Sequence, residues 1–169
     1  MIKPTQEVPE LKLPLINDTK WSLYDQDSKA FTMLVFYRGL HCPVCKNYLE
    51  ALTKKLKDFS DRGVHLIAIS SDSEERAKKA GNEWNIPELP VGYNLPIETA
   101  REWGLYVSKK TSDKEPDEFS EPGLFLIRPD NTLYARAIQT MPFARPNWDD
   151  ILNAIDYVTK NDYPARGGE

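Results

Sequence analysis

The sequence predicts an α/β protein with a mixed central sheet flanked by helices on both faces. Two observations carry that prediction: apolar, β-branched runs alternate along the chain with amphipathic ones, and the alternation closes with two strand-like runs joined by a short turn. A strand, helix, strand crossover makes parallel neighbours, whereas the closing turn makes antiparallel ones, so the sheet has to be mixed. The 169 residues, 40% of them hydrophobic, suit one compact domain over residues 1–169. No internal repeat, low-complexity tract or long linker divides it.

Taken in order, residues 31–37 (FTMLVFY) form the first strand-like run. A helix is expected over 45–61, with Leu49, Leu52, Leu56 and Phe59 on one face. Residues 64–70 (VHLIAIS) are the next strand, followed by a helix over 73–84 for which Ser73 suits the N-cap and Lys and Glu line the outer side. A shorter helix is expected over 97–103. Residues 123–127 (GLFLI) and 132–138 (TLYARAI) are strands joined by the turn-forming Arg128, Pro129, Asp130 and Asn131. The last helix covers 147–159, apolar at Ile151, Leu152, Ile155 and Val158. Trp84 and Trp103 fall on apolar helical faces and read as packing residues.

Charge excludes two classes of partner. Lys and Arg number 22 against 26 Asp and Glu, a net charge of −4, so there is no basic surplus to hold nucleic acid or an anionic membrane. The N-terminal residues lack a basic lead followed by a long apolar run and a small-residue cleavage site, and no window reaches the length of a membrane span. Cytoplasmic residence is the default expectation, although a chain whose leader had been removed would read the same.

The chemistry concentrates in residues 36–50 (FYRGLHCPVCKNYLE), which hold both cysteines of the chain. In a reducing compartment, two close thiols are more often catalytic or metal-binding than structural. The buried strand ends at Arg38 and Gly39, and Pro43 is suited to a first helical position because its missing N–H would have been unpaired there. Cys42 therefore falls at or near an N-cap, where free backbone N–H groups and the helix dipole lower a thiol pKa. Cys45 follows one turn later on the same face, a spacing that allows a disulfide to close and reopen. A zinc site is disfavoured, since His41 and His65 are the only further soft ligands and His41 adjoins Cys42. No metal or other cofactor is called for.

The run LVFYRGLHCPVCK resembles the active-site segment of the thioredoxin superfamily. LKLPLINDTKWSL resembles the opening hairpin of the redoxins, the branch holding the alkyl hydroperoxide reductase C and thiol-specific antioxidant (AhpC/TSA) proteins. The long segment from GVHLIAISSDS to GLYVS resembles their next strand and helix, and EPGLFLIRPDNTLYARA their late hairpin. The resemblance implies a thioredoxin-like fold with an N-terminal hairpin extension. It departs from the peroxiredoxin motif P-x-x-x-T-x-x-C: counting back from Cys45, Arg38 stands at the Pro place and Cys42 at the Thr place. Counted from Cys42, those places hold Val35 and Gly39. The dipeptide Pro43-Val44 is closer to the C-P-x-C of glutaredoxins. By the same resemblance, Glu121-Pro122 occupies the place of a cis-proline facing the disulfide.

These readings give a thiol oxidoreductase cycling a Cys42/Cys45 dithiol, with a hydroperoxide or a protein disulfide as oxidant. The resemblance also implies a thiol reductant of thioredoxin or glutaredoxin type and allows a homo-oligomer. Cys42 is expected to attack, as the solvent-facing sulfur nearest the unpaired amides, and Cys45 to resolve; the peroxiredoxin register reverses the roles. Arg38 is the nearest fixed positive charge and a candidate for thiolate support, set against the ordinary reading of a strand-end Arg as solvated. His41 is expected to cover the thiol, and Pro122 to border the substrate groove. Arg145 in MPFARPNW lies near a helix start, with only a weak case for function. From another class, the alternative is a redox-sensing interaction module switched by the Cys42–Cys45 disulfide. A scaffold that has lost activity is a third.

Overall fold

The computed structural model describes residues 1–169. In chain order the elements are β1 (Lys12–Pro14), β2 (Lys20–Ser22), β3 (Phe31–Phe36), α1 (Pro43–Thr53), α2 (Leu56–Asp61), β4 (Val64–Ile69), α3 (Glu74–Glu83) and β5 (Val91–Gly92). There follow α4 (Ile97–Glu102), β6 (Val107–Lys109), β7 (Glu118–Ser120), β8 (Gly123–Ile127), β9 (Leu133–Ile138) and α5 (Trp148–Asn161). Five strands form the central sheet in the order β5-β4-β3-β8-β9. Strand β3 runs parallel to β4 and antiparallel to β8, so the sheet is mixed, as expected. Strands β1 and β2 pair as the N-terminal hairpin.

Every residue of β3 is buried, because both faces of the sheet are covered. Its side chains alternate between two apolar layers. Met33, Val35 and Tyr37 pack with Leu49 and Leu52 of α1 and with Trp148, Ile151 and Ile155 of α5. Leu34 and Phe36 face the opposite layer, among Leu11, Leu13, Phe125, Ala100 and Trp103. There Phe36, Phe125 and Trp103 contact one another edge-on or tilted, with centroids 5.3 to 6.0 Å apart. Trp84 and Trp103 are both buried, as packing residues should be.

The single helix expected over 45–61 is instead two. α1 ends at Thr53, whose hydroxyl turns back to donate to the Leu49 carbonyl at 2.9 Å, and Lys55 leaves the helical region before α2 begins. The break aims Phe59 into the core, edge-on to Trp148 at 6.2 Å. Three short strands lack a periodic signal in the sequence: β5, and the β6–β7 hairpin around a charged loop. Two residues give β5 no pattern to read, and β6 is mostly polar because it lies outside the central sheet.

The chain leaves β3 at the C-terminal end of the parallel strands and reaches α1 through a tight turn, where Cys42 N–H donates to the Gly39 carbonyl at 3.1 Å. Gly39 has φ +132°, and a Cβ there would sit 2.6 Å from Asp72 Oδ1. Asp72, fully buried in the loop after β4, accepts Leu40 N–H at 2.8 Å and Arg76 Nε at 2.9 Å. This carboxylate thus fixes the entry to α1.

Candidate active site

Cys42 is the N-cap residue of α1, with Pro43 opening the first turn. Its sulfur accepts the Cys45 N–H at 3.2 Å, one of the amides that a helix start leaves unpaired. Both thiols are free, and both are buried, Cys42 at 2% exposure and Cys45 at 0%. The expected solvent-facing Cys42 is therefore corrected. Packing of the flanking Leu40, Val44 and Tyr48 against the core closes over the helix start.

Arg145 joins the two sulfurs. Its Nη2 lies 3.1 Å from Cys45 Sγ and 3.8 Å from Cys42 Sγ, while Nε donates to the Pro142 carbonyl at 2.7 Å. The guanidinium rests over the Tyr48 ring, 5.4 Å from its centroid, and Nη1 is buried without an acceptor. Tyr48 ties this loop to α1: its hydroxyl donates to the Pro146 carbonyl at 2.5 Å, and Trp148 Nε1 donates to the Tyr48 carbonyl at 3.0 Å. Arg145 stands 103 residues beyond Cys42, so no spacing rule could connect them. The available signal was an Arg between two prolines just before a capped helix.

These contacts separate the two thiols. The Cys45 thiol hydrogen bond, then its backbone N–H, the Arg145 charge and the nearby Arg38 side chain lower Cys42 to about 6 against the opposing effect of burial. Deeper burial pushes Cys45 well up, and the hydrogen bond and charge of the Cys42 thiolate add to this. Although Arg145 Nη2 is nearer Cys45, ionising that deeper sulfur would forfeit the amide that only Cys42 receives. The direction is a Cys42 thiolate beside a Cys45 thiol.

The remaining expected site residues divide. Arg38 is only partly solvated: its side chain is 21% exposed, its Nε lies 3.2 Å from Glu121 Oε2, and it rests over the Phe119 ring. It makes no hydrogen bond of ordinary geometry to either sulfur. His41 packs edge-on against Phe119 with its Nδ1 3.3 Å from Arg76 Nη2, so it covers the turn and does not bond a sulfur. Burial and the neighbouring Arg38 lower its pKa, keeping the ring neutral. Pro122 corrects a second expectation, since the chain has no cis peptide bond. With a trans bond the Pro122 carbonyl extends the β8–β9 ladder, accepting Gln139 N–H at 2.9 Å. Pro122 nevertheless lines a cavity of about 10 Å³ with Tyr48, Gln139 and Arg145. On the outer side of Arg145 lies an open groove of about 380 Å³ bounded by Val44, Tyr48, Phe143 and Trp148. A groove of about 410 Å³ along the β1–β2 hairpin holds none of these residues.

The sequence profile of the AhpC/TSA family matches residues 4–136, most of the chain and both thiols. The chain belongs to the AhpC/TSA family. It is 34% identical over 152 residues to 1-Cys peroxiredoxin PER1 of Arabidopsis thaliana, covering 88% of this chain and 68% of that protein. To the 1-Cys peroxiredoxin of Medicago truncatula it is 25% identical over 161 residues, covering 90% and 71%. Peroxidoxin BcpB from Mycobacterium tuberculosis superposes with a TM-score of 0.75 at 18% identity, over 94% of this chain and 99% of that one. The yeast mitochondrial 1-Cys peroxiredoxin gives 0.77 at 17%, over 96% and 78%. These likenesses show the thioredoxin-like fold. As an AhpC/TSA member the chain is a peroxiredoxin-like thiol oxidoreductase.

Proposed function

We propose that this chain is a thiol peroxidase that reduces small hydroperoxides with Cys42 and resolves the product with Cys45. The observation that carries the reading is the Cys42 sulfur at the start of α1, holding the Cys45 amide at 3.2 Å with the Arg145 guanidinium spanning both sulfurs. The Cys42 thiolate attacks one peroxide oxygen, the O–O bond breaks, and Cys42 becomes a sulfenic acid as the other oxygen leaves and takes a proton to form water or an alcohol. Arg145 Nη1, buried without an acceptor, is a donor available to the oxygen on which charge develops. Cys45 then attacks the sulfenic sulfur, expelling water and forming the Cys42–Cys45 disulfide. An external dithiol returns both sulfurs to thiols and leaves as a disulfide.

Peroxide is favoured over a protein disulfide as oxidant by the relatives, named as 1-Cys peroxiredoxins, and by burial, which denies a bulky disulfide access to either sulfur. The second thiol supplies an internal resolving group in place of an external one. Two observations favour the reversed roles, namely the shorter distance from Arg145 to Cys45 and the peroxiredoxin register, which puts Cys45 at the place of the attacking thiol. The test is steady consumption of hydrogen peroxide with an added dithiol, beside reduction of insulin disulfides. Catalytic peroxide loss with little insulin reduction is expected. A single stoichiometric reaction without turnover would instead indicate the redox-sensing module.

A further inference from the structure

We propose that Glu121 is a positioning residue for the thiolate, acting by holding the Arg38 guanidinium against the start of α1. The inference rests on the reading of Cys42 as the working thiol. Glu121 is a buried carboxylate, 6% exposed, at the junction of β7 and β8. Ser108 of β6 donates to its Oε1 at 2.6 Å, and its Oε2 lies 3.2 Å from Arg38 Nε. The Arg38 side chain is thereby pinned between Glu121 and the Phe119 ring, four residues ahead of Cys42 across the Gly39 turn. Nothing in the peroxidase chemistry above uses Glu121 directly. A buried carboxylate is retained at such a place only when a cation and hydrogen bonds offset its desolvation.

Charge makes the idea decidable. The groups acting on Cys42 are Cys45 on its own helix, Arg145 from the loop before α5 and Arg38 from the preceding turn, whereas His41, next to it in the chain, packs on Phe119. Asp72 and Arg76 pair behind His41, and Glu121 stands behind Arg38. Two guanidiniums, one carboxylate and one thiolate balance. If Glu121 acted only through its charge, neutralising it would make the surroundings more positive and the thiolate easier to form. If it acts by holding Arg38, neutralising it frees Arg38 to turn toward solvent, and the thiolate becomes harder to form. The two accounts predict opposite signs.

The experiment is alkylation of Cys42 by iodoacetamide as a function of pH, with the modified cysteine identified by mass spectrometry, in wild type, Glu121→Gln, Arg38→Met and the double variant. At about pH 5, where the thiolate is the minority form, Glu121→Gln is expected to slow Cys42 alkylation several-fold, toward the factor of ten of one logarithmic unit. In the Arg38→Met background the same change is expected to slow it no further. Ser108→Ala keeps the carboxylate charge but frees one oxygen, and is expected to act in the same direction more weakly; it decides the matter if Glu121→Gln fails to fold. An unchanged or faster rate in Glu121→Gln, equal slowing in the Arg38→Met background, or no effect of Ser108→Ala would overturn the proposal. Alkylation reads the thiolate without any peroxide turnover, so failure of the peroxidase reading registers separately, in the turnover assay.

Discussion

Cys42 and Cys45 are three residues apart and meet different surroundings, and that difference sets which sulfur is ionised at neutral pH. The N-cap position gives Cys42 an amide, a neighbouring thiol and a guanidinium, whereas Cys45 is sunk one turn deeper among Tyr37, Leu49 and the sheet. Because the thiolate is the reactive form and Cys42 is lowered to about 6, the rate of the first reaction with peroxide should rise with pH through about 6 and level off above it. Arg145→Met removes the guanidinium that lowers Cys42, so the rise should move to higher pH, and the loss of a donor should slow peroxide reduction by on the order of 10². Stopped-flow peroxide consumption across this range checks both, and an unshifted profile in Arg145→Met would refute the assigned role. Arg145 was barely visible beforehand, since its partners lie a hundred residues away; Cys42 was visible because a proline after it announced the helix start.

At the scale of elements, the site depends on how the chain turns from β3 into α1. Gly39 takes a φ closed to most side chains, and its missing Cβ leaves the room into which the Asp72 carboxylate reaches to bind Leu40 N–H. Gly39→Ala should therefore strain the turn and displace Asp72, destabilising the fold by roughly 1–3 kcal/mol. Urea denaturation measures the effect, and a midpoint unchanged from wild type would mean that the turn relaxes freely. The run of apolar residues in β3 and the Ser73 cap were legible because each is a local pattern. The break between α1 and α2 was not, since it follows from where Phe59 must point against Trp148, a contact made by distant sequence. Nor does any dipeptide signal encode the isomer of the bond before Pro122, which is trans here.

For the molecule as a whole, a sheet covered on both faces supplies a rigid base from which one short turn, one helix start and one late loop converge. Tyr48 and Trp148 stack 4.2 Å apart and lock α1 to α5, so that the Arg145 loop meets the thiols although it comes from the far end of the chain. The mixed sheet and the hairpin ahead of it were readable from patterning and resemblance. The convergence on the sulfurs was not, because it is a property of packing among elements. What stands or falls with this arrangement is the order of events at the two sulfurs. The most direct measurement is rapid-quench mass spectrometry of Cys42→Ser and Cys45→Ser after one equivalent of hydrogen peroxide. Cys45→Ser is expected to form a sulfenic acid on Cys42 at close to the wild-type rate and then stall, while Cys42→Ser stays unreacted. A fast first oxidation in Cys42→Ser that is absent from Cys45→Ser would contradict the account and make Cys45 the attacking thiol.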